Sequence, residues 1–301
     1  MVERIVDTFN SVLPRNLDSG VFVLGPDFGA DVREKLSGIC DSHGMEAHFA
    51  VQERAEGTAH AVYCAGDQLE GEGIIVFADT LFDMEPGIDL GDADVVAWVK
   101  EVDDPSRFGV AVREGERITA FVEKPQQLIS REALIGIYYV KDLAQVKDAI
   151  SHLIENDIRG HGREFQLTDA FDYLLKQGKK FTTASVTEWL DCGTIPALVD
   201  TTKHILGKES DSLREGEASN SIIIEPVYIG PGAKVVDSVV GPNVSVEANA
   251  RIERSVVKDS IVFGDARVSD SVLADSLVGH HAEVAERPRS INVGDHSTLG
   301  S

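Results

Sequence analysis

The chain has 301 residues, 43% hydrophobic and 26% charged, enough to bury a sizeable core in two compact units. Its net charge of −23 repels phosphate backbones and anionic lipid, which argues against general nucleic-acid or membrane binding. No apolar run approaches the ~20 residues that span a bilayer and Met1-Val2-Glu3-Arg4 does not open a signal peptide, so a soluble, cytoplasmic protein is expected.

The acid is spread along the chain, as on a solvated surface or one suited to a high-salt cytoplasm. Three separated cysteines, Cys40, Cys64 and Cys192, lack disulfide or metal-ligand spacing and fit a reducing compartment. Up to about residue 205, short apolar runs alternate with helical periodicity, which predicts an α/β unit on a mostly parallel sheet. Strands are expected at Val21–Leu24, Ala47–Val51, Ile74–Phe77 and Val95–Val99, buried on both faces, with helices over Ala30–His43 and Thr58–Leu69 between them. A second set of strands follows at Gly109–Val112, Ile118–Val122 and Leu134–Val140. Helices over Leu143–Glu155, Leu167–Gln177 and Pro196–Leu206 close the unit.

Gly207–Asn220, poor in apolar residues, reads as a linker between a domain of residues 1–206 and one of 221–301. Beyond it, phrases such as Ile229-Gly-Pro-Gly-Ala-Lys and Val240-Gly-Pro-Asn-Val-Ser recur about every six residues. Asp237-Ser-Val-Val, Arg254-Ser-Val-Val, Asp259-Ser-Ile-Val and Asp270-Ser-Val-Leu form a second refrain. A six-residue period gives one short strand and one corner per repeat, hence a left-handed parallel β-helix with Ile229, Val235, Val240, Val246 and Ile252 inward. A solenoid with exposed terminal coils is expected to form a homo-oligomer.

Five segments have residues suited to chemistry, each with a plainer reading beside it. Gln52 with Gly57-Thr58 stands where a strand meets a helix, fit to pair with a heterocycle edge or hold an anion, or simply to cap the helix. Asp79 follows an apolar strand and Asp191, in Trp189-Leu-Asp-Cys-Gly-Thr194, follows another. Acids at such strand ends suit Mg²⁺ on a phosphate, or turn capping. In Phe121-Val-Glu123-Lys124-Pro125 the Lys is a point charge for phosphate and the Glu an acceptor for hydroxyls, or the two are a salt-bridged strand end. Glu164-Phe-Gln-Leu-Thr168-Asp169 opens an amphipathic helix that Thr168 and Asp169 could cap.

In this order, the segments from about Val21 to Leu206 resemble the sugar-1-phosphate nucleotidyltransferases, the pyrophosphorylases that make nucleotide sugars, in members that carry a C-terminal left-handed β-helix. The resemblance implies a Rossmann-like α/β domain and a Mg²⁺-dependent reaction of a nucleoside triphosphate with a sugar 1-phosphate, the base leaning to UTP or dTTP. It implies that Gln52, Gly57 and Thr58 bind the nucleotide, that Asp79 and Asp191 hold the metal, and that Glu123, Lys124, Glu164 and Gly109 hold the sugar phosphate, with Asp79, Lys124 and Asp191 catalytic. The family's opening strand, Gly-rich loop and Pro-Lys pair have no counterpart ahead of Met1-Val-Glu-Arg-Ile. That strand would lie between those at Val21 and Ile74, so a gap in the sheet and impaired catalysis are expected. Two other readings stand beside this one: a regulatory or assembly subunit without activity, and an acyltransferase using His280 or His281 of the β-helix as base.

Overall fold

The computed structural model describes residues 1–87, 90–208 and 214–286. The chain divides into two compact units, Met1–Leu190 and Asp191–Ser301. Among the described residues no helix is long and apolar enough to cross a membrane. All three cysteines are free.

The first unit opens with α1 (Val2–Val12), which buries Ile5, Val6, Phe9 and Val12 at helical spacing. β1 (Ser19–Leu24), α2 (Ala30–Ser42) and β2 (Glu46–Val51) form a βαβ unit whose strands pair in parallel, Ser19 opposite Glu46 through Leu24 opposite Val51. Then come α3 (Thr58–Tyr63), β3 (Gly73–Val76), β4 (Thr80–Asp83), β5 (Val95–Glu101), β6 (Gly109–Glu114), β7 (Arg117–Glu123) and β8 (Glu132–Val140). α4 (Leu143–Glu155), α5 (Leu167–Lys176), β9 (Phe181–Ser185) and β10 (Glu188–Asp191) follow. The main sheet has the order β3-β8-β5-β9-β7-β6, and β10 pairs with β4 apart from it.

Two expectations are corrected here. The main sheet is mixed rather than mostly parallel: only β5 and β9 pair in parallel, while β8 runs antiparallel to both β3 and β5. The turn at Gly115 (φ 62°) between β6 and β7 is too short for a crossover and forces an antiparallel hairpin. Second, β1 and β3 are not buried on both faces; Val21 is 36% exposed and every residue of β3 is half-buried. Each of these strands has one partner, β2 for β1 and β8 for β3, and they do not pair with each other. β1–β2 thus form a sheet separate from the one that β3 ends. The core lies on the other side of β5, β8 and β9, where Phe121, Tyr138, Phe171 and Phe181 pack with α4 and α5.

In the second unit, α6 (Ile195–Lys208) precedes a parallel β-solenoid of three sheets. Ile229, Val235, Val240, Val246 and Ile252 are fully buried inside it, as the six-residue period requires. Strand Glu217–Ser219 already belongs to the first coil, within the stretch expected as linker. The recurring Ser residues form an interior stack: the hydroxyls of Ser221, Ser238 and Ser255 accept from the backbone N–H of Ser238, Ser255 and Ser271 at 3.1 Å each. Asp237, Arg254 and Asp270 ahead of them turn the corners in the left-handed region, φ 47–52°. Helix α6 packs on strands Val244–Val246 and Ser260–Val262, with Lys203 bonded to Asp275 at 3.1 Å. The expected repeats beyond residue 286 lie outside the described residues.

Candidate functional site

The β6–β7 hairpin sets Gly109 directly opposite Glu123. A Cβ at Gly109 would lie 2.7 Å from Glu123 Oε2 and 3.0 Å from Leu134 Cδ1, so the absent side chain makes room for the carboxylate to fold over the strand. The Thr168 hydroxyl donates to the same Oε2 at 3.4 Å from the first turn of α5. Burial raises the Glu123 carboxyl above its ordinary range, opposed by Lys124, the Thr168 bond and His161. Lys124 is exposed at φ 45°, its N–H bonded to Phe108 O at 3.0 Å.

The second part joins residues 56–60 to 164–168. Phe165 donates its N–H to Glu56 O at 2.8 Å and accepts from Ala59 at 2.9 Å. Gly57 has φ 114° and ψ 176°, a region open in practice to glycine alone, and a Cβ there would stand 2.5 Å from Phe165 O and 2.9 Å from Glu164 Cβ. The Thr58 hydroxyl accepts from Leu167 N–H at 3.0 Å and donates to Gln166 Oε1 at 3.1 Å, so it caps α5 from another segment. Gln166 in turn donates to Glu164 Oε2 at 3.1 Å. Residues Gly57, Thr58, Gln166 and Glu164 are thus linked, and α5 carries the link on through Thr168 to Glu123 and Gly109.

Sequence reading alone left Gln166 and His60 without a role and gave Asp169 only that of a helix cap. Gln166 joins the two segments, and His60 lies 3.1 Å from the Gln52 amide nitrogen, which also donates to Gly57 O at 3.1 Å. Asp169 keeps a buried Oδ2 without a partner among the described residues, and burial followed by Asp172 raises its carboxyl. The Gly-Thr-Ala-His run was a signal for His60, one turn along the helix from Glu56. Gln166 carried none, because the partner that joins it to the other segment, Thr58, lies more than a hundred residues earlier.

Asp79 is exposed in the turn between β3 and β4. Next to it Thr80, buried, accepts from Trp189 Nε1 at 2.7 Å, and the Trp189 ring packs edge-on to Phe108 at 4.9 Å. In the second unit Asp191 Oδ1 accepts from Gly193 N–H at 2.9 Å. Among the described residues no group of three or more His, Cys, Asp or Glu side chains is set to hold a metal. Asp79 and Asp191 are each a hard carboxylate of the kind Mg²⁺ takes as a ligand. His280 is 56% exposed on its side chain, 3.3 Å from Gly264 O and 4.0 Å from Glu247.

Comparison with known proteins bears on the same segments. The family described as Nucleotidyl transferase matches residues 4–208, and that described as GlmU-like, C-terminal hexapeptide matches residues 205–286. The chain is 28% identical to the low-salt glycan biosynthesis nucleotidyltransferase Agl11 of Haloferax volcanii, over 82% of this chain and 76% of that one. It is 26% identical to a glucose-1-phosphate thymidylyltransferase of Streptomyces griseus, over 93% and 86%. A nucleoside-diphosphate-sugar pyrophosphorylase of Vibrio cholerae shares the fold with TM-score 0.52 at 17% identity, covering 66% of this chain and 84% of that one. So does a UDP-glucose pyrophosphorylase solved with UDP-glucose, TM-score 0.52 at 19% identity, covering 69% and 86%.

Proposed function

Because the chain belongs to the nucleotidyl transferase family, we propose that it serves the reaction of a nucleoside triphosphate with a sugar 1-phosphate to give a nucleoside-diphosphate sugar and pyrophosphate. The observation that carries this reading is the linked set Gly57, Thr58, Gln166, Glu164, Thr168, Glu123 and Gly109, which unites three of the five segments singled out in the sequence. UTP or dTTP is the preferred nucleotide, with Gln52 and the backbone around Gly57 against the base; the Thr58 hydroxyl, occupied in capping α5, acts by holding that backbone.

In the reaction, a sugar-phosphate oxygen attacks the α-phosphorus in line as pyrophosphate leaves. Glu123 and Glu164 accept hydroxyls of the sugar, and exposed Lys124 neutralises its phosphate. Asp79 and Asp191 are the carboxylates for Mg²⁺, which when bound offsets charge developing on the phosphate oxygens. β1 and β3 each keep one edge unpaired among the described strands. The same open edges favour a second reading, a partner subunit that assembles without turning over.

Self-association is part of the proposal. Ile222, Val239, Val256 and Val272 stand in register along one outer face of the solenoid, and Ile222, Val256 and Val272 are 62%, 42% and 72% exposed. An aliphatic row on a chain of net charge −23 is where two copies meet with least repulsion, and both copies carry the same coil spacing.

The deciding experiment measures pyrophosphorolysis of UDP-glucose and dTDP-glucose, together with equilibrium binding of UTP, dTTP and glucose 1-phosphate, for the wild type and Glu123→Gln and Lys124→Ala. Binding that both substitutions weaken roughly tenfold or more for the sugar phosphate alone supports the assignment. Sugar-phosphate binding unchanged in both variants overturns it.

A further inference from the structure

The amide of Gln52 is held at its nitrogen end by two acceptors. Its Nε2 lies 3.1 Å from Gly57 O and 3.1 Å from His60 Nδ1. A carbonyl oxygen can only accept, so the group facing Gly57 O is the NH₂. Both amide protons are then committed inward, and Oε1 is the one hydrogen-bonding atom left to meet a ligand. The contact at His60 requires a lone pair on Nδ1, which places the ring proton on Nε2, toward Glu56 at 3.7 Å. Glu56 is itself shared with Arg159 at 3.6 Å, and Arg159 pairs with Asp157 at 2.6 Å. On the same helix, Tyr63 follows, and at its C-terminal end the Cys64 thiol is raised by burial and by Glu56.

We propose that His60 is a positioning residue that fixes the Gln52 amide with its carbonyl outward, so that the nucleotide pocket accepts a base N–H when His60 is neutral and loses that ability when His60 is protonated. This rests on the assignment of Gln52 to the base. The imide N–H of uracil or thymine is a donor of the kind that an outward Oε1 accepts. A proton on Nδ1 would point at the Gln52 N–H. To relieve that conflict the amide must turn, which sets Oε1 against the Gly57 carbonyl and presents N–H to a base that also offers N–H. Base binding and His60 protonation therefore oppose each other, and by linkage a bound base drives the proton off His60.

The test has two arms on the full chain. In the first, ¹⁵N-histidine NMR of the unliganded protein reads the His60 tautomer, its signal assigned by its loss in His60→Asn. A neutral ring protonated at Nε2 is expected, and protonation at Nδ1 overturns the proposal whatever binds. In the second, dTTP and UTP affinities are measured from about pH 8 to about pH 5.5. The wild type is expected to weaken roughly three- to tenfold as His60 takes up its proton, the worth of about one hydrogen bond. His60→Asn keeps an acceptor near the Nδ1 position without a titrating group, so it should bind like the wild type at high pH with a flat profile. His60→Ala should be weak throughout and also flat. Equal pH profiles in wild type and His60→Asn overturn the inference. If the Nε2-protonated ring is seen yet neither nucleotide binds at any pH, it is the assignment of Gln52 to the base that fails, and the proposed role of His60 in affinity falls with it.

Discussion

Gly57→Ala should be among the most damaging single-methyl substitutions in the first unit. At φ 114° and ψ 176° any side chain is strained, by about 1–3 kcal/mol. The new Cβ would also stand 2.5 Å from Phe165 O and 2.8 Å from Phe165 N, backbone atoms that cannot swing aside as a side-chain end would. Relief requires residues 164–166 to retreat, lengthening the bonds between Phe165 and both Glu56 and Ala59, each worth about 0.5–1.5 kcal/mol. Strain and one weakened bond together give about 2–4 kcal/mol. For a unit of this size each kcal/mol lowers Tm by about 2–4 °C, so calorimetry should show its transition falling by about 10 °C. The same retreat carries Glu164 and Gln166 with it, so sugar-phosphate affinity should fall as well. A Tm within about 2 °C of wild type with sugar-phosphate binding intact would refute the junction at Gly57 and the linked site built on it.

Three further outcomes are expected. Glu123→Gln should raise stability near neutral pH while abolishing sugar-phosphate binding: the buried carboxyl holds its proton more tightly folded than unfolded, so its ionisation costs stability as pH rises through the raised value. The gain, under about 1 kcal/mol after solvent screening, should vanish in urea titrations below the ordinary carboxylate range, and a variant less stable at neutral pH would contradict the burial argument. Val256→Asp with Val272→Asp should shift sedimentation at micromolar concentration toward the monomer without unfolding the solenoid, because both side chains face outward; an unchanged oligomer would put the interface elsewhere. Lastly, Asp79→Ala should lower pyrophosphorolysis by about 10² or more, and turnover unchanged in that variant would show that other residues hold the metal and triphosphate.

What the sequence disclosed followed from how local each signal was. The solenoid was plain because its physics repeats: an inward aliphatic, a corner residue in the left-handed region, and a Ser whose hydroxyl accepts from the next coil recur every turn. The Asp-Ser-Val-Val refrain is that corner and that Ser. The mixed pairing of the main sheet was hidden, since an apolar run such as Leu134–Val140 does not tell which way its neighbours run. The plainer reading of Thr168 as a cap failed for a similar reason: Thr58, over a hundred residues earlier, supplies the hydroxyl at Leu167, and Thr168 turns to Glu123 instead.

β1 and β3 depart from the burial on both faces that their sequence predicts. A strand reading Gly-Ile-Ile-Val in an α/β sheet should disappear from solvent on both faces, yet all four residues of β3 stay half-buried, while β5, with neighbours on both sides, buries Val95 through Val99. Composition does not separate the two, since both are runs of aliphatic residues. The difference is one flanking strand, and with it the side chains that would cover the edge and the partners for its backbone N–H and C=O groups. Val21 on β1 shows the same deficit from the other side. Two apolar strands, β1 and β3, thus each end a sheet at an edge that no other described strand covers, and the half-burial of their side chains follows from that.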